Sequence, residues 1–373
     1  MNILVFSWRD PRHPLAGGAE QVMHEHMKGW IEAGHSVTLF ASRFKGSSAE
    51  EVLQGVHIVR GGNQHHLGVQ FAGFLYYEYH KREYDLVVDQ FHGMPFFTPL
   101  YVKKPKFAVI QETARNVWFL NPFPWPINWI YGVVGYVLEP LIFLLYKKTP
   151  FMTGSKSAKE DVVNLGIPKE NITVVPHGVV IPKLKIKYQK AKMRTIVYLG
   201  VLSKDKGVED AIKCFSILDK KGNYQFWVIG KPETEGYGRK VINQVESLGL
   251  DAKVKFWGFV SQEKKFELLA KGHVLINPSV HEGWGLVNIE ANAMETPVIA
   301  YRSHGLIDSV KDGQSGILCT QNTSEELAKN TMRLLADKAE YKRLQDGAIL
   351  WSKNFSWEKS RKRSLDLLKK VVR

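Results

Sequence analysis

Residues 279–300 read SVHEGWGLVNIEANAMETPVIA, and how this run divides decides the fold. Gly283 and Gly285 mark a loop, Leu286 to Met294 reads as a helix, and PVIAY from 297 reads as a short buried strand. Upstream, HVLINPS is another apolar strand, so the unit is strand, helix, strand: a parallel crossover. One residue of the helix is out of place. Three and four positions from Glu290 stand Leu286, Val287, Ala293 and Met294, all apolar. A carboxylate in such a stripe costs on the order of several kcal/mol unless something binds it. The binder is either a basic side chain or a ligand that offers hydroxyl donors.

The same alternation extends in both directions. NILVFSW is followed by a helical stretch from Gly18 to Ala33, then SVTLFAS, HIVRG, DLVVDQ and FAVIQE. The second half brings TIVYLG, a helix from Val208 to Lys220, YQFWVIG, a helix from Arg239 to Leu248, VKFWGFV and a helix from Gln262 to Ala270. Two such runs in 373 residues predict an α/β protein of two Rossmann-like domains. IPKLKIKYQKAKM (181–193) is Lys-rich without amphipathic order and reads as an exposed linker. The expected domains are residues 1–183 and 184–355. Helices follow at Glu325–Ala336 and Lys338–Leu344, and the last one (356–373) has Ser356 as cap and Glu358 in its first turn.

Composition excludes several classes. With 44% hydrophobic and 24% charged residues the chain is not disordered. Two isolated cysteines make neither a disulfide framework nor a CxxC metal site, and fit a reducing compartment. MNILVFSWRD lacks a basic leader, so a cytoplasmic chain is expected. The formal charge of +14 comes without a helix-turn-helix, zinc-finger or RNP pattern, so no nucleic-acid partner is expected. The histidines, including the pair at 65–66, show no ligand spacing and read as surface residues. No D-x-D occurs, and no metal and no cofactor are expected.

Residues 116–148 break the composition. From Asn116 to Tyr146 the only charge is Glu139, amid nine aromatic residues. Pro122, Pro124 and Pro126 interrupt the first third and Glu139-Pro140 the rest, so two short helices are expected rather than a span. They either pack in the core of the first domain or, with Lys103, Lys104, Lys106, Lys147 and Lys148 beside them, meet an anionic membrane surface.

EGWGLVNIEANAMETPVIAYRSHGLIDSVKDGQSGIL resembles the retaining glycosyltransferases of the GT-B fold, group 1 (family 4). AGGAEQ, QETARNVWF, SKSAKEDVVNLGIPKENITVVPHGV and YLGVLSKDKGVEDAI carry the resemblance along nearly the whole chain, in the family's order. It implies two Rossmann-like domains facing each other across a cleft that binds a nucleoside-diphosphate sugar. It also implies that the last helix returns to the first domain. Glu290 would hold the ribose hydroxyls and Glu282 the sugar hydroxyls. Backbone at Gly283, Gly285, Leu286 and Val287, at Gly17 and Gly18, and at Gly200 would face the donor. Lys206 would neutralise the departing diphosphate. Gln111 stands where the family commonly has a His, and His92 and Glu112 would be on the acceptor side. The family has an Arg where this chain has Val201. The expected activity is retaining transfer of a hexose to an acceptor hydroxyl, the acceptor being a glycan or lipid-linked. Val201 and Gln111 keep open an alternative, a non-catalytic sugar-nucleotide or glycan-binding protein on the same fold.

Overall fold

The computed structural model describes residues 1–63, 67–91, 94–121, 123–180 and 189–373. They form two compact units, one of residues 1–115, 136–178 and 356–373, the other of 116–135 and 179–355.

The first unit runs β1 (Asn2–Phe6), α1 (Gly18–Glu32), β2 (Ser36–Ala41), β3 (Glu50–Leu53), β4 (Val56–Arg60), α2 (Gly68–His80), β5 (Leu86–Phe91), β6 (Lys106–Ile110), α3 (Ile127–Leu145), β7 (Phe151–Thr153), α4 (Lys156–Asn164) and β8 (Ile172–Val174). The sheet order is β3-β4-β2-β1-β5-β6-β7-β8, parallel except for the β3–β4 pair. Central strands are buried on both faces, which is why ILVF in β1 is apolar at every position. Leu86 and Val88 of β5 join the core under α1, while Val87 and Phe91 point to the opposite face, towards α2 and α3 respectively.

α3 corrects an expectation. Glu139-Pro140 does not break it; one helix runs through both. A proline deletes a single N–H near the last turn, and the C-terminal half is held regardless because Phe143 and Tyr146 are buried in the core. Glu139 turns inward and accepts from the backbone N–H groups of Ala114 (2.7 Å) and Arg115 (2.8 Å). The helix is long and apolar enough to cross a membrane, by length and composition alone. Its residues up to Gly135 group with the second unit and those from Tyr136 with the first.

The second unit runs β9 (Arg194–Leu199), α5 (Val208–Asp219), β10 (Tyr224–Ile229), α6 (Glu235–Ser247), β11 (Val254–Gly258), α7 (Gln262–Lys271), β12 (Val274–Asn277), α8 (Leu286–Ala293), β13 (Val298–Ala300), α9 (Leu306–Ser309), β14 (Gly316–Leu318), α10 (Ser324–Ala336) and α11 (Lys338–Ser352). Its parallel sheet has the order β11-β10-β9-β12-β13-β14. Thr234, Ser261 and Thr323 cap α6, α7 and α10 through side-chain oxygens, each worth about 1 kcal/mol. Cys214 and Cys319 are both buried, and burial pushes the Cys319 thiol up to about 12 and that of Cys214 further.

Residues 181–188 of the expected linker lie outside the described residues. Of the rest, Gln189, Lys192 and Met193 are exposed, as expected, whereas Lys190 and Ala191 are half-buried. The Lys190 ammonium donates to Gly272 O (2.6 Å), Thr296 Oγ1 (2.8 Å) and Glu295 O (3.2 Å), and burial lowers it to about 7. It sits on the C-terminal ends of α7 and α8, where carbonyls lack helical partners.

The last helix, α12 (Trp357–Val372), belongs to the first unit. It packs on α1, with Leu367 and Leu368 in the core and Trp30 Nε1 donating to Ser364 Oγ at 3.1 Å.

Candidate functional site

In an open parallel sheet, ligands bind beyond the carboxyl ends of the strands, where the strand order reverses. In the second unit that point lies between β9 and β12. The loop after β9 carries Gly200, Val201 and Lys206; the loop after β12 carries Glu282, Gly283 and Gly285. The two loops meet. Lys206 Nζ lies 3.2 Å from Glu282 Oε1 and 3.4 Å from Asp205 Oδ2, and it donates to His281 O at 3.4 Å. Ser279 Oγ donates to the same Glu282 oxygen at 3.0 Å. Val280 N donates to Asp205 O at 2.8 Å. Gly207 allows this approach: at φ +69° a Cβ there would lie 2.2 Å from Pro278 O.

Gly285 is the N-cap of α8 at φ +77°, with no side-chain cap. The first turn of α8, including Leu286 and Val287, therefore offers backbone N–H groups beside Glu282. What fixes α8 against β12 is a buried polar chain. Asn277 Nδ2 donates to Asn288 Oδ1 and Asn288 Nδ2 to Ser309 Oγ, both at 2.9 Å. Sequence reading missed this chain, because its members are ordinary in type and far apart.

Glu290 has a basic partner, one of the two binders its surroundings require. Lys265 Nζ of α7 lies 2.5 Å from Glu290 Oε1. Neither side chain is sealed in: Lys265 keeps 14% of its surface and Glu290 16%. Val201 leaves its isopropyl group half exposed, while its carbonyl accepts from the buried Tyr198 hydroxyl at 2.8 Å. No cation occupies the side-chain position where the family pattern has Arg.

In the first unit, Gly17 ends the turn from β1 as the N-cap of α1, and Gly18 is the first residue of that helix. The Gly17 N–H donates to Glu20 Oε2 at 2.7 Å, so one backbone donor of this turn is already used. Gln111, beyond β6, has its Oε1 2.6 Å from His177 Nε2. Its own Nε2 has no hydrogen-bond partner among the described residues. Glu112 is exposed, and His92 lies outside the described residues.

The expectation of surface histidines fails for several. His13, His24, His26 and His177 are buried. Burial, then the neighbouring imidazole of His26, lowers His177 to about 3; burial, then Arg361, lowers His26 to about 3. Both are therefore neutral at pH 7, and the unfolded chain binds protons that the folded chain refuses between about pH 6.5 and 3. Stability falls as pH falls through that window. At pH 5 each imidazole should have cost about 2 kcal/mol relative to pH 7. The melting temperature should drop over that range, and His26→Phe should flatten the drop. An unchanged slope in that variant would refute the assignment.

Two family models match the chain in tandem. Residues 16–181 match Glycosyltransferase Family 4, and residues 180–351 match Glycosyl transferases group 1. A capsular polysaccharide biosynthesis glycosyltransferase of Staphylococcus aureus, CapM, is 28% identical over 221 residues, 55% of this chain and 57% of that protein. Across the first curated relatives, the chain spans between 32% and 57% of their length. Sucrose-phosphate synthase from Thermosynechococcus elongatus superposes with a TM-score of 0.83 at 18% identity, covering 99% of this chain and 98% of that one. Anabaena HepE in complex with UDP-glucose superposes at 0.75 and 17% identity, covering 99% and 100%. At these identities the structural likeness speaks to the fold.

Proposed function

We propose, for a chain that belongs to the group 1, family 4 glycosyltransferases, the retaining transfer of a hexose from a nucleoside-diphosphate donor to an acceptor hydroxyl. The observation that carries this is the meeting of Lys206, Glu282 and the uncapped start of α8 at the switch point of the second sheet. The solved likeness that holds UDP-glucose supports the donor class. Glu290 takes the ribose hydroxyls beside Lys265, and Glu282 takes sugar hydroxyls. The start of α8 and Lys206 take the diphosphate, one by dipole and free N–H groups, the other by charge.

In the reaction the bond from the anomeric carbon to the diphosphate oxygen breaks, and its electron pair leaves with the diphosphate. The acceptor oxygen bonds to the same face of that carbon, and its proton passes to the departing phosphate oxygen. Lys206 stabilises the charge that develops there. Gln111 neither takes up nor releases a proton at neutral pH, so its part is that of a hydrogen-bond donor through Nε2. No step needs a metal ion. The test is transfer, or donor hydrolysis, across a panel of nucleotide-sugars; nucleotide binding without any turnover would favour a non-catalytic binder.

The acceptor we infer is membrane-linked, at the cytoplasmic face, as in envelope glycan or glycolipid synthesis; the capsule-related likeness supports this class. The surface of α3 and the segment before it supports it too. Trp125 is 82% exposed, and Trp129, Ile130, Val134, Val137, Leu141 and Leu144 are exposed as well. The only charge on the helix points inward. Such an aromatic and aliphatic face suits the bilayer interface. The protein should float with anionic liposomes, and Trp125→Ser with Trp129→Ser should reduce capture about tenfold, by loss of buried apolar area. Absence of capture at low salt would refute the membrane link.

A further inference from the structure

The first unit carries a second exposed apolar face, on α2. Phe71, Leu75 and Tyr79 follow at four-residue spacing and so line one side of the helix. All three are exposed, Tyr79 to 87%. Leu100, at the end of the 3-10 turn Thr98–Leu100, is exposed as well. The following residue, Tyr101, packs on Phe74 and Tyr77 of α2, with ring centroids 5.1 and 5.6 Å apart.

The same turn is tied to the end of α3. Buried Asp89 of β5 accepts from Thr98 Oγ1 at 2.8 Å and from the Tyr146 hydroxyl at 2.5 Å. Both helices cover the face of the sheet opposite α1. The α2 line, Leu100, and Val137, Leu138, Leu141, Leu144 and Leu145 of α3 therefore belong to one outer layer.

Three basic doublets border this layer. Lys81-Arg82 precedes β5, Lys103-Lys104 precedes β6, and Lys147-Lys148 precedes β7. These strands are parallel neighbours, spaced about 4.8 Å apart. The doublets therefore stand in a row at the amino-terminal ends of these strands. All six side chains are exposed. Glu78 pairs with Lys81 at 2.6 Å and Glu83 with His80 at 2.9 Å. Arg82, Lys103, Lys104, Lys147 and Lys148 have no acidic partner among the described residues.

We propose that this whole layer is a docking face for an anionic bilayer, with α2 and the second half of α3 in the interface and the three doublets among the headgroups. The proposal rests on the membrane reading above and extends it to α2, the turn and the row of cations. Two observations select this occupant. Phe143 and Tyr146 remain in the protein core, so α3 lies on the interface rather than leaving the fold to cross it. A symmetric self-association would set this patch against its own copy and bring like charges together, whereas an anionic surface complements them.

The test is sedimentation with phosphatidylcholine vesicles, with and without phosphatidylglycerol. It uses wild type, the triple variant F71S/L75S/Y79S, the quintuple variant R82Q/K103Q/K104Q/K147Q/K148Q and W125S/W129S, the α3 pair, with Trp125 just before that helix and Trp129 in its first turn. Wild type should bind the anionic vesicles at least about tenfold more tightly than the neutral ones. The triple variant should lose about tenfold in that binding, and the quintuple variant should lose the preference for phosphatidylglycerol. Melting temperature and nucleotide binding should be unchanged in both. If the triple variant binds like wild type while the α3 pair is impaired, α2 has no part and the proposal falls, with the membrane reading intact. If wild type binds neutral vesicles equally well, the cations have no such role. If wild type forms a dimer that F71S/L75S/Y79S dissociates, the face is a self-interface. If wild type binds no vesicle, the membrane reading itself falls.

Discussion

Glu290→Ala should abolish nucleotide-induced thermal stabilisation and lower kcat/KM by about 100- to 10,000-fold, the loss of two hydrogen bonds to a charged acceptor at ~1.5–3 kcal/mol each. The substitution also strands the largely buried Lys265 ammonium, 2.5 Å from the carboxylate it replaces. An unpaired cation in that setting destabilises the fold as well. A second variant separates the two effects. Glu290→Ala with Lys265→Met removes both charges and should restore the melting temperature of the nucleotide-free protein. It should not restore the response to nucleoside diphosphates. A double variant that regains that response would show that Glu290 serves only as a structural partner for Lys265.

Lys206→Met should act on turnover more than on binding. Its ammonium stands 3.2 Å from Glu282 and 3.4 Å from Asp205, where the proposed mechanism has negative charge grow as the diphosphate departs. Removing one preorganised donor to such a charge costs about 100- to 1,000-fold in rate. Donor affinity should fall by about tenfold at most, because the start of α8 still offers its N–H groups and dipole. Single-turnover kinetics at saturating donor, with a thermal-shift titration, distinguish the two. Equal losses in rate and affinity would mean that Lys206 contributes uniform binding instead.

The second unit was legible in most of its elements, because most of its strands carry a run of three or more apolar residues and each helix opens on a cap or a glycine. The helix of the opening stretch ends within one residue of its expected bound. Two helices of the first unit were not. α2 has aromatic residues on every side, so no stripe stands out: Tyr77 is buried while Phe71 and Tyr79 are exposed. α3 was divided at a proline that packing overrides. In the site, the loop of Glu282 and the helix of Glu290 were readable from the glycines and the spacing, whereas the parts of Lys206 and Gln111 came only from the family resemblance. The Lys265 partner was not readable, since 25 residues separate it from Glu290 and only the packing of α7 on α8 brings them together. The buried histidines were missed because their type is usually polar and exposed, and nothing local records that α12 covers His26.

The two thiols, both buried and held protonated, leave the folded protein nearly silent towards maleimides and other alkylating reagents, which attack the thiolate. A cysteine introduced on the surface, as in Tyr79→Cys, would then be the one reactive position of the native chain. An environment-sensitive fluorophore placed there would report contact with lipid directly, without first removing either native residue.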